Sequence, residues 1–222
     1  MTTKTQRGDR REGALSKDRI VEAAIAILDA EGETALTFRA LAARLATGSG
    51  AIYWHVADKT ALLTAATGEV IDRATIDGGD APPRQAVRDI ALRVFDLIDA
   101  RPWVGAHLAR EPWQSAMLRI FESVGSRLDA LGVPEDRQFD AATALVNYIL
   151  GCAGQNAANA RLMPAQTDRE ATLAAVAAQW SKLDPAEHPF VRKMAARLGD
   201  HDDREQFLAG IDLILAGLGA AR

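Results

Sequence analysis

The stretch Leu36-Thr37-Phe38-Arg39-Ala40-Leu41-Ala42-Ala43-Arg44-Leu45-Ala46-Thr47-Gly48-Ser49-Gly50-Ala51-Ile52-Tyr53-Trp54-His55-Val56 decides the fold. Thr37 can cap a short helix through Leu45, with Leu41, Ala42 and Leu45 on its inner face. Thr47-Gly48-Ser49-Gly50 reads as a tight connector of small residues. The run from Ala51 to Val56 is too short and too aromatic for an ordinary surface helix. Two short helices joined by such a turn, braced by a longer helix before them, form the unit that presents a helix to a DNA major groove.

Working outward, the bracing helix starts at Ser16, a good N-cap, and carries Ile20, Ala23, Ala24, Ile27 and Leu28 on one face before stopping at Gly32. Asp58 caps a helix from Lys59 to about Asp77, which Gly78-Gly79-Asp80-Ala81-Pro82-Pro83 ends. Further helices are expected at about 84–101, 103–110, 113–131, 135–162, 168–182, 186–198 and 203–219, with prolines at or beside their junctions. No alternating strand pattern, internal repeat or low-complexity tract interrupts them, so the predicted fold is all-α with about ten helices. Three segments follow: a flexible basic arm over 1–14, a helix-turn-helix domain over 15–62, and an all-helical domain over 63–222 for effector binding and dimerisation.

Composition bounds the function. A chain of 222 residues, 48% hydrophobic and 25% charged, has the make-up of a globular protein with a sizeable core. Its apolar runs fall well short of the ~20 residues that span a bilayer, and the basic N-terminus has no apolar segment behind it, so a cytoplasmic protein without a membrane partner is expected. Cys152, the single cysteine, excludes an internal disulfide and a cysteine-based zinc site. Net charge is −4, yet residues 1–60 hold nine Lys/Arg against eight Asp/Glu, with six of those cations in the first twenty residues. Phosphates respond to a local cationic face within a screening length of about 8–10 Å, so the overall sign does not exclude nucleic acid. Lys4, Arg7, Arg10 and Arg11 read either as a solubilising tail or as an arm for the minor groove.

From Ser16 to about Asp72 the chain resembles the DNA-binding domain of the tetracycline repressor (TetR) family. The motif is Leu36-Thr37-Phe38-Arg39-x-Leu41-Ala42-x-x-Leu45, then Ala51-Ile52-Tyr53-Trp54-His55-Val56, then Asp58-Lys59-x-x-Leu62-Leu63. The resemblance implies that Thr37 and Arg39 meet the DNA at the start of their helix, that Ser49, Gly50 and Ala51 face the groove, and that Tyr53, His55 and Lys59 hold phosphates. Hydroxyl, imidazole and ammonium all donate to phosphate oxygens, contacts that fix register without reading sequence. Trp54 stands in the same DNA-binding set, although its size, like that of Ile52, points to packing in so short a helix. Where tetracycline-binding members carry a longer amide and a proline, this chain has Ser49 and Gly50, leaving more of the discrimination to the arm and to DNA shape.

The resemblance continues through Leu150-Gly151-Cys152 and the final helix, which in that family pair with their symmetry mates. Phe207, Gly210, Ile211, Ile214, Gly217 and Leu218 are thus candidates for a homodimer interface, and their periodicity fits a plain core helix equally well. A symmetric dimer also suits double-stranded operator DNA, because two recognition helices must reach grooves ~34 Å apart.

Candidates for a small-molecule effector site, lined by aromatics and convergent polar groups, are Phe95, Trp103, His107, Arg110, Trp113, Phe121, Asn147, Tyr148, Gln155, Asn156 and Asn159. Amides in an Ala-rich helix need partners that a ligand, the backbone or a subunit interface could supply. His107 matches a position that in tetracycline-binding members helps hold the drug's magnesium ion. By ungapped alignment Thr75 stands where those members have a histidine and Ala91 lies near their asparagine, so tetracycline is not the expected ligand and neither a metal nor a cofactor is expected. Cys152 reads as a small packed residue. The expected function is a repressor released from a palindromic operator by its effector. A His107, Arg110, Glu111 enzyme lacks a His-Glu-x-x-His pair, a phosphate loop and a serine elbow; a helix-turn-helix adaptor for protein contacts is the other rival.

Overall fold

The computed structural model describes residues 15–75, 81–111, 114–162 and 168–220, and these form eleven helices and no strand. In chain order they are α1 (Lys17–Glu31), α2 (Phe38–Arg44), α3 (Ser49–Tyr53), α4 (Lys59–Thr75), α5 (Pro83–Ala100), α6 (Pro102–Arg110), α7 (Ser115–Ala130), α8 (Glu135–Leu162), α9 (Arg169–Ser181), α10 (Pro189–Leu198) and α11 (Asp203–Ala220). Capping fixes many of the starts, as an orphan backbone N–H at a helix start needs an acceptor. Ser16 accepts from the Arg19 amide at 3.3 Å, Thr37 from Ala40 at 3.1 Å and Asp58 from Ala61 at 2.7 Å. Pro83, Pro102 and Pro189 open α5, α6 and α10, where the missing N–H costs nothing. Pro189 also accounts for a start three residues later than the periodicity suggests; Ala186 belongs instead to a turn held by Asp184 at 2.7 Å.

The helix-turn-helix differs from expectation in its connector. The residue in the left-handed region is Ala46 at φ 51°, not a glycine, and Thr47 returns its amide to the Ala42 carbonyl at 3.0 Å. With the turn completed by Thr47, α3 begins at Ser49. Ser49 and Gly50 are therefore helical residues rather than connector, and the helix ends at Tyr53.

One hydrophobic cluster runs from Ile20 on α1 to Leu215 on α11, and α4 carries it across positions 62 and 63. At its centre α8 packs against α5, α6, α7 and α11, while α4 lies on α1, α5, α6 and α7. The α9 and α10 helices pack chiefly on each other, and α9 has no buried residue. No described helix is long and apolar enough to cross a membrane.

Candidate functional site

In the α2–α3 unit, the packing and outward faces separate cleanly. Ile52 is fully buried beneath α3, with Leu41 and Ala42 below α2. Phe38 and Tyr53 stack with ring centroids 4.2 Å apart and planes 2° from parallel, which fixes α3 against α2 while leaving the Tyr53 edge exposed. Thr37, Arg39, Gly50 and His55 are exposed; Ser49 and Ala51 are half-buried. The expectation that Trp54 packs is wrong: the ring is 90% exposed. Ile52 and Val56 already fill the floor, so Trp54, at the C-cap, has no core to enter. Lys59 is not a free phosphate ligand, because its Nζ donates to the Glu33 carbonyl at 2.7 Å and ties α4 to the loop after α1. Lys4, Arg7, Arg10 and Arg11 lie outside the described residues.

Three of the expected effector residues serve a different purpose. Trp103, His107 and Arg110 lie on α6 and face the DNA-binding unit. At one end of α6, the Trp103 indole donates to Asp29 Oδ1 at 2.9 Å, and the Arg101 guanidinium binds the same carboxylate at 3.0 Å. At the other end, Arg110 pairs with Glu33 at 2.6 Å. Between them, His107 is 1% exposed and its Nε2 meets the Thr64 hydroxyl of α4 at 3.2 Å. Burial, reinforced by the Arg110 charge, pushes the His107 pKa down, so the neutral ring is favoured. The helix is thus clamped to α1 at one end, to the loop after α1 at the other and to α4 in its middle. Gly105 permits the close approach of α5, since a methyl there would meet Ile98 at 2.8 Å.

At the two positions compared with the tetracycline-binding members, Ala91 is fully buried and the Thr75 hydroxyl donates to the Ile71 carbonyl of its own helix at 2.8 Å. Among the described residues no group of His, Cys, Asp and Glu has the arrangement to hold a metal. With His107 on Thr64 and Arg110 on Glu33, the alternative His107-Arg110-Glu111 catalytic cluster has no assembled geometry.

Another part of the expected set does come together. Phe95, Tyr148, Gln155, Asn156 and Asn159 line a cleft of about 210 Å³ between α5, α8 and α11, with Cys152, His201, Asp203, Gln206 and Phe207. It opens into a larger space of about 1210 Å³ beneath the α9–α10 hairpin. The floor is a ring stack: Phe207 lies between Phe95, at 4.5 Å, and Tyr148, at 5.6 Å. The Tyr148 hydroxyl donates to the Phe207 carbonyl at 3.2 Å. Burial, then its hydrogen bond with the Cys152 thiol, raises the Tyr148 pKa to about 12, so the phenol stays protonated. The Asn156 amide is committed to Asp99 at 2.7 Å. Phe121 packs instead on Phe139 at 5.9 Å, Asn147 is exposed away from the cleft, and Trp113 lies outside the described residues.

The expected dimer stripe also divides. Phe207 and Ile211 are buried within their own subunit, and Gly210 admits the Tyr148 ring, whose hydroxyl would overlap any added methyl. These three residues build the chain's own core instead of an interface. Ile214 and Leu218 are half-buried, and Gly217 is exposed. Leu213, absent from the expected set, is 75% exposed beside them. Sequence reading also missed Trp180, Phe190 and Met194, which line the larger space from the hairpin. Their sequence signal was an apolar face, weak on α9 and strong on α10, which does not say what that face meets.

Comparison with known proteins bears on both units. Residues 20–66 match the family of bacterial regulatory proteins, tetR family, and residues 84–222 match the tetracyclin repressor-like C-terminal domain. The solved structure of the transcriptional regulator SCO7222, a TetR from Streptomyces coelicolor, is 50% identical with a TM-score of 0.85, over 93% of this chain and 99% of that one. An HTH-type transcriptional regulator of Saccharopolyspora erythraea is 30% identical over 150 residues, covering 66% of this chain and 63% of that protein. The HTH-type transcriptional repressor DrrR1 of Streptomyces coeruleorubidus is 30% identical over 146 residues, 63% of this chain and 53% of its own length. The chain thus spans less than two thirds of the length of these two curated relatives.

Proposed function

We infer, from the premise that this chain belongs to the tetR family of bacterial regulatory proteins, a family of transcription regulators and not of enzymes, that it is a ligand-responsive repressor. A homodimer binds a palindromic operator in the cytoplasm and releases it when a small molecule occupies the α5–α8–α11 cleft. The observation that carries this reading is the outward face of the α2–α3 unit: Thr37, Arg39, Gly50, Tyr53, Trp54 and His55 are exposed on a short helix pair anchored from behind by buried Ile52. Arg39, Tyr53 and His55 supply donors for phosphates; Ser49, Gly50 and Ala51 enter the groove.

Pairing uses the outward faces of α8 and α11, where Gly151, Gly154 and Gly217 allow close approach and Leu213 supplies apolar area. The signal passes through α6. Because α6 is fixed to α1 at Asp29 and to the loop after it at Glu33, a shift of the second domain moves the bracing helix and changes the separation of the two recognition helices. Coupling of this kind amounts to ~1–3 kcal/mol and is reciprocal between DNA and ligand.

A gel-shift assay with the intergenic DNA upstream of the chain's own gene, at two salt concentrations, tests the reading together with light scattering. The expected result is a dimer, a retarded band outcompeting unrelated DNA of equal length, and weaker binding at higher salt. A monomer, or equal retardation of unrelated DNA, removes the operator-binding repressor.

A further inference from the structure

A groove of about 950 Å³ runs between α1, α4 and α7, and none of its lining belongs to the ligand cleft. Small and apolar residues, Val21, Ala61, Ala65 and Gly68, leave room in it, and Thr60 and Ser115 add hydroxyls. Five carboxylates stand along it: Asp18 and Glu22 on α1, and Asp58, Glu69 and Asp72 on α4 or its cap. Three cations answer them. Arg119 pairs with Asp72, Arg73 pairs with Glu22 and Glu69 at 2.9 Å, and Lys17 lies on the lining. Asp18 has no ion-pair partner among the described residues, so the groove keeps a surplus of two negative charges. From Thr60 to Asp72 it follows about 18 Å of α4, a distance that about five or six residues of extended peptide span.

The chain itself supplies a segment of matching charge and reach. Residues 1–14, ahead of the described residues, hold Lys4, Arg7, Arg10 and Arg11 against Asp9 and Glu12, a surplus of two positive charges. The described chain begins beside the groove, because Lys17 and Asp18 on the first turn of α1 line it. Arg11 and Arg10 stand four and five residues before Leu15, within ~13–18 Å of extended chain, enough to reach the carboxylates of α1 and α4. Exposed ion pairs are individually weak, but a tether of so few residues holds the arm at an effective concentration on the order of millimolar. We propose, resting on the DNA-binding reading of the α2–α3 unit, that without DNA the arm lies in this groove with Arg7, Arg10 and Arg11 along its carboxylates, and that DNA competes with the groove for it. Phosphates attract cations whatever the base sequence, so docking the arm lowers the attraction to unrelated DNA.

Trypsin cuts after Arg7, Arg10 and Arg11 only when the peptide is free to enter the protease, so loss of the arm from the full chain, followed by intact mass, reads docking without DNA. At low salt the arm is expected to be cut about fivefold more slowly than the same fourteen residues as a free peptide, as for two or three exposed ion pairs acting together. The pair Asp18→Lys/Glu69→Lys should bring the rate up to that of the free peptide. Should that pair disturb α1 or α4, Ala61→Arg places a cation in the groove with every carboxylate intact, and the same acceleration is expected. Equal rates in the unaltered chain, its variants and the peptide overturn the proposal. The same variants should bind an unrelated duplex more tightly, with a salt dependence steeper by ~0.9 in logarithmic slope per cation freed. That gain is expected to vanish when Lys4, Arg7, Arg10 and Arg11 are all changed to Gln; a gain that persists means the carboxylates repel DNA directly, and overturns the competition. Protection that fades on dilution to monomers would assign the groove to the arm of a second copy and overturn docking within one chain. Failure of every form to bind DNA, with the arm still protected, defeats the DNA-binding reading, whereas intact operator binding with an unprotected arm defeats this proposal alone.

Discussion

Replacing Asp29 by alanine tests how the two halves of the molecule are held together. Its carboxylate receives the Trp103 indole N–H at 2.9 Å and the Arg101 guanidinium at 3.0 Å. Trp103 is 6% exposed, so removing the acceptor leaves a buried donor without a partner, a loss of ~1–3 kcal/mol. The Arg101 pair is about one third exposed on both sides, and screening limits it to ~0–1 kcal/mol. Asp29→Ala should therefore cost about 2 kcal/mol, equivalent to a fall of ~4–8 °C in Tm for a chain of this size. Asp29→Asn keeps an acceptor oxygen for the indole and gives up only the charge, so it should cost under ~1 kcal/mol; Arg101→Ala should behave alike. Denaturant unfolding followed by circular dichroism, at one fixed protein concentration, measures all three. The reasoning is refuted if Asp29→Ala is no worse than Arg101→Ala, because the buried indole would then not depend on this carboxylate.

Three further outcomes are expected. Gly210→Ala forces a methyl into the Tyr148 ring and should cost ~1–3 kcal/mol; adding Tyr148→Phe should recover little of it, since the ring carbon Cζ, which phenylalanine keeps, lies closer to that methyl than Cε2 at 3.0 Å. Trp54→Ala should change stability by less than ~0.5 kcal/mol while weakening operator binding, whereas a buried tryptophan would cost ~3–5 kcal/mol; thermal unfolding and gel shift read the two effects. The His107 pKa is held below the ordinary 6.5, so the unfolded chain takes up this proton first as pH falls. Its contribution is present above pH 6.5 and is lost as pH falls below that value, and His107→Gln should flatten the denaturation midpoint over that window.

Helix starts were largely legible because caps are local chemistry. Ser16, Thr37 and Asp58 each accept an amide three residues on, as their types suggest. The stop at Gly32 was legible for the same reason: its φ of 78° suits a residue without a Cβ. Ala46, which takes the left-handed position despite its side chain, was not legible, because the packing of α2 on α3 overrides local preference there. Periodicity identifies an apolar stripe without naming its partner. Hence Phe207 and Ile211 read equally well as interface or core until Phe95 and Tyr148 were placed against α11. Trp103 and Arg110 read as ligand groups because their acceptors, Asp29 and Glu33, are more than seventy residues away in sequence. The α8 amides were legible for a sound reason: polar side chains in an Ala-rich helix need an explanation, and three of the four named line the cleft.

The brevity of α3 has a consequence for how such proteins diversify. Five residues cannot hold a helix by themselves, and this one is kept in shape by Ile52 and the Phe38–Tyr53 stack. A Cβ added at Gly50 would meet nothing within 4 Å. Under the proposed DNA-binding reading, buried Ile52 and the groove-facing positions Ser49 and Gly50 thus occupy separate sides of one turn. Changes at Ser49 and Gly50 can alter the preferred target at little expense to folding, so new specificities are open to drift without a passage through unstable intermediates.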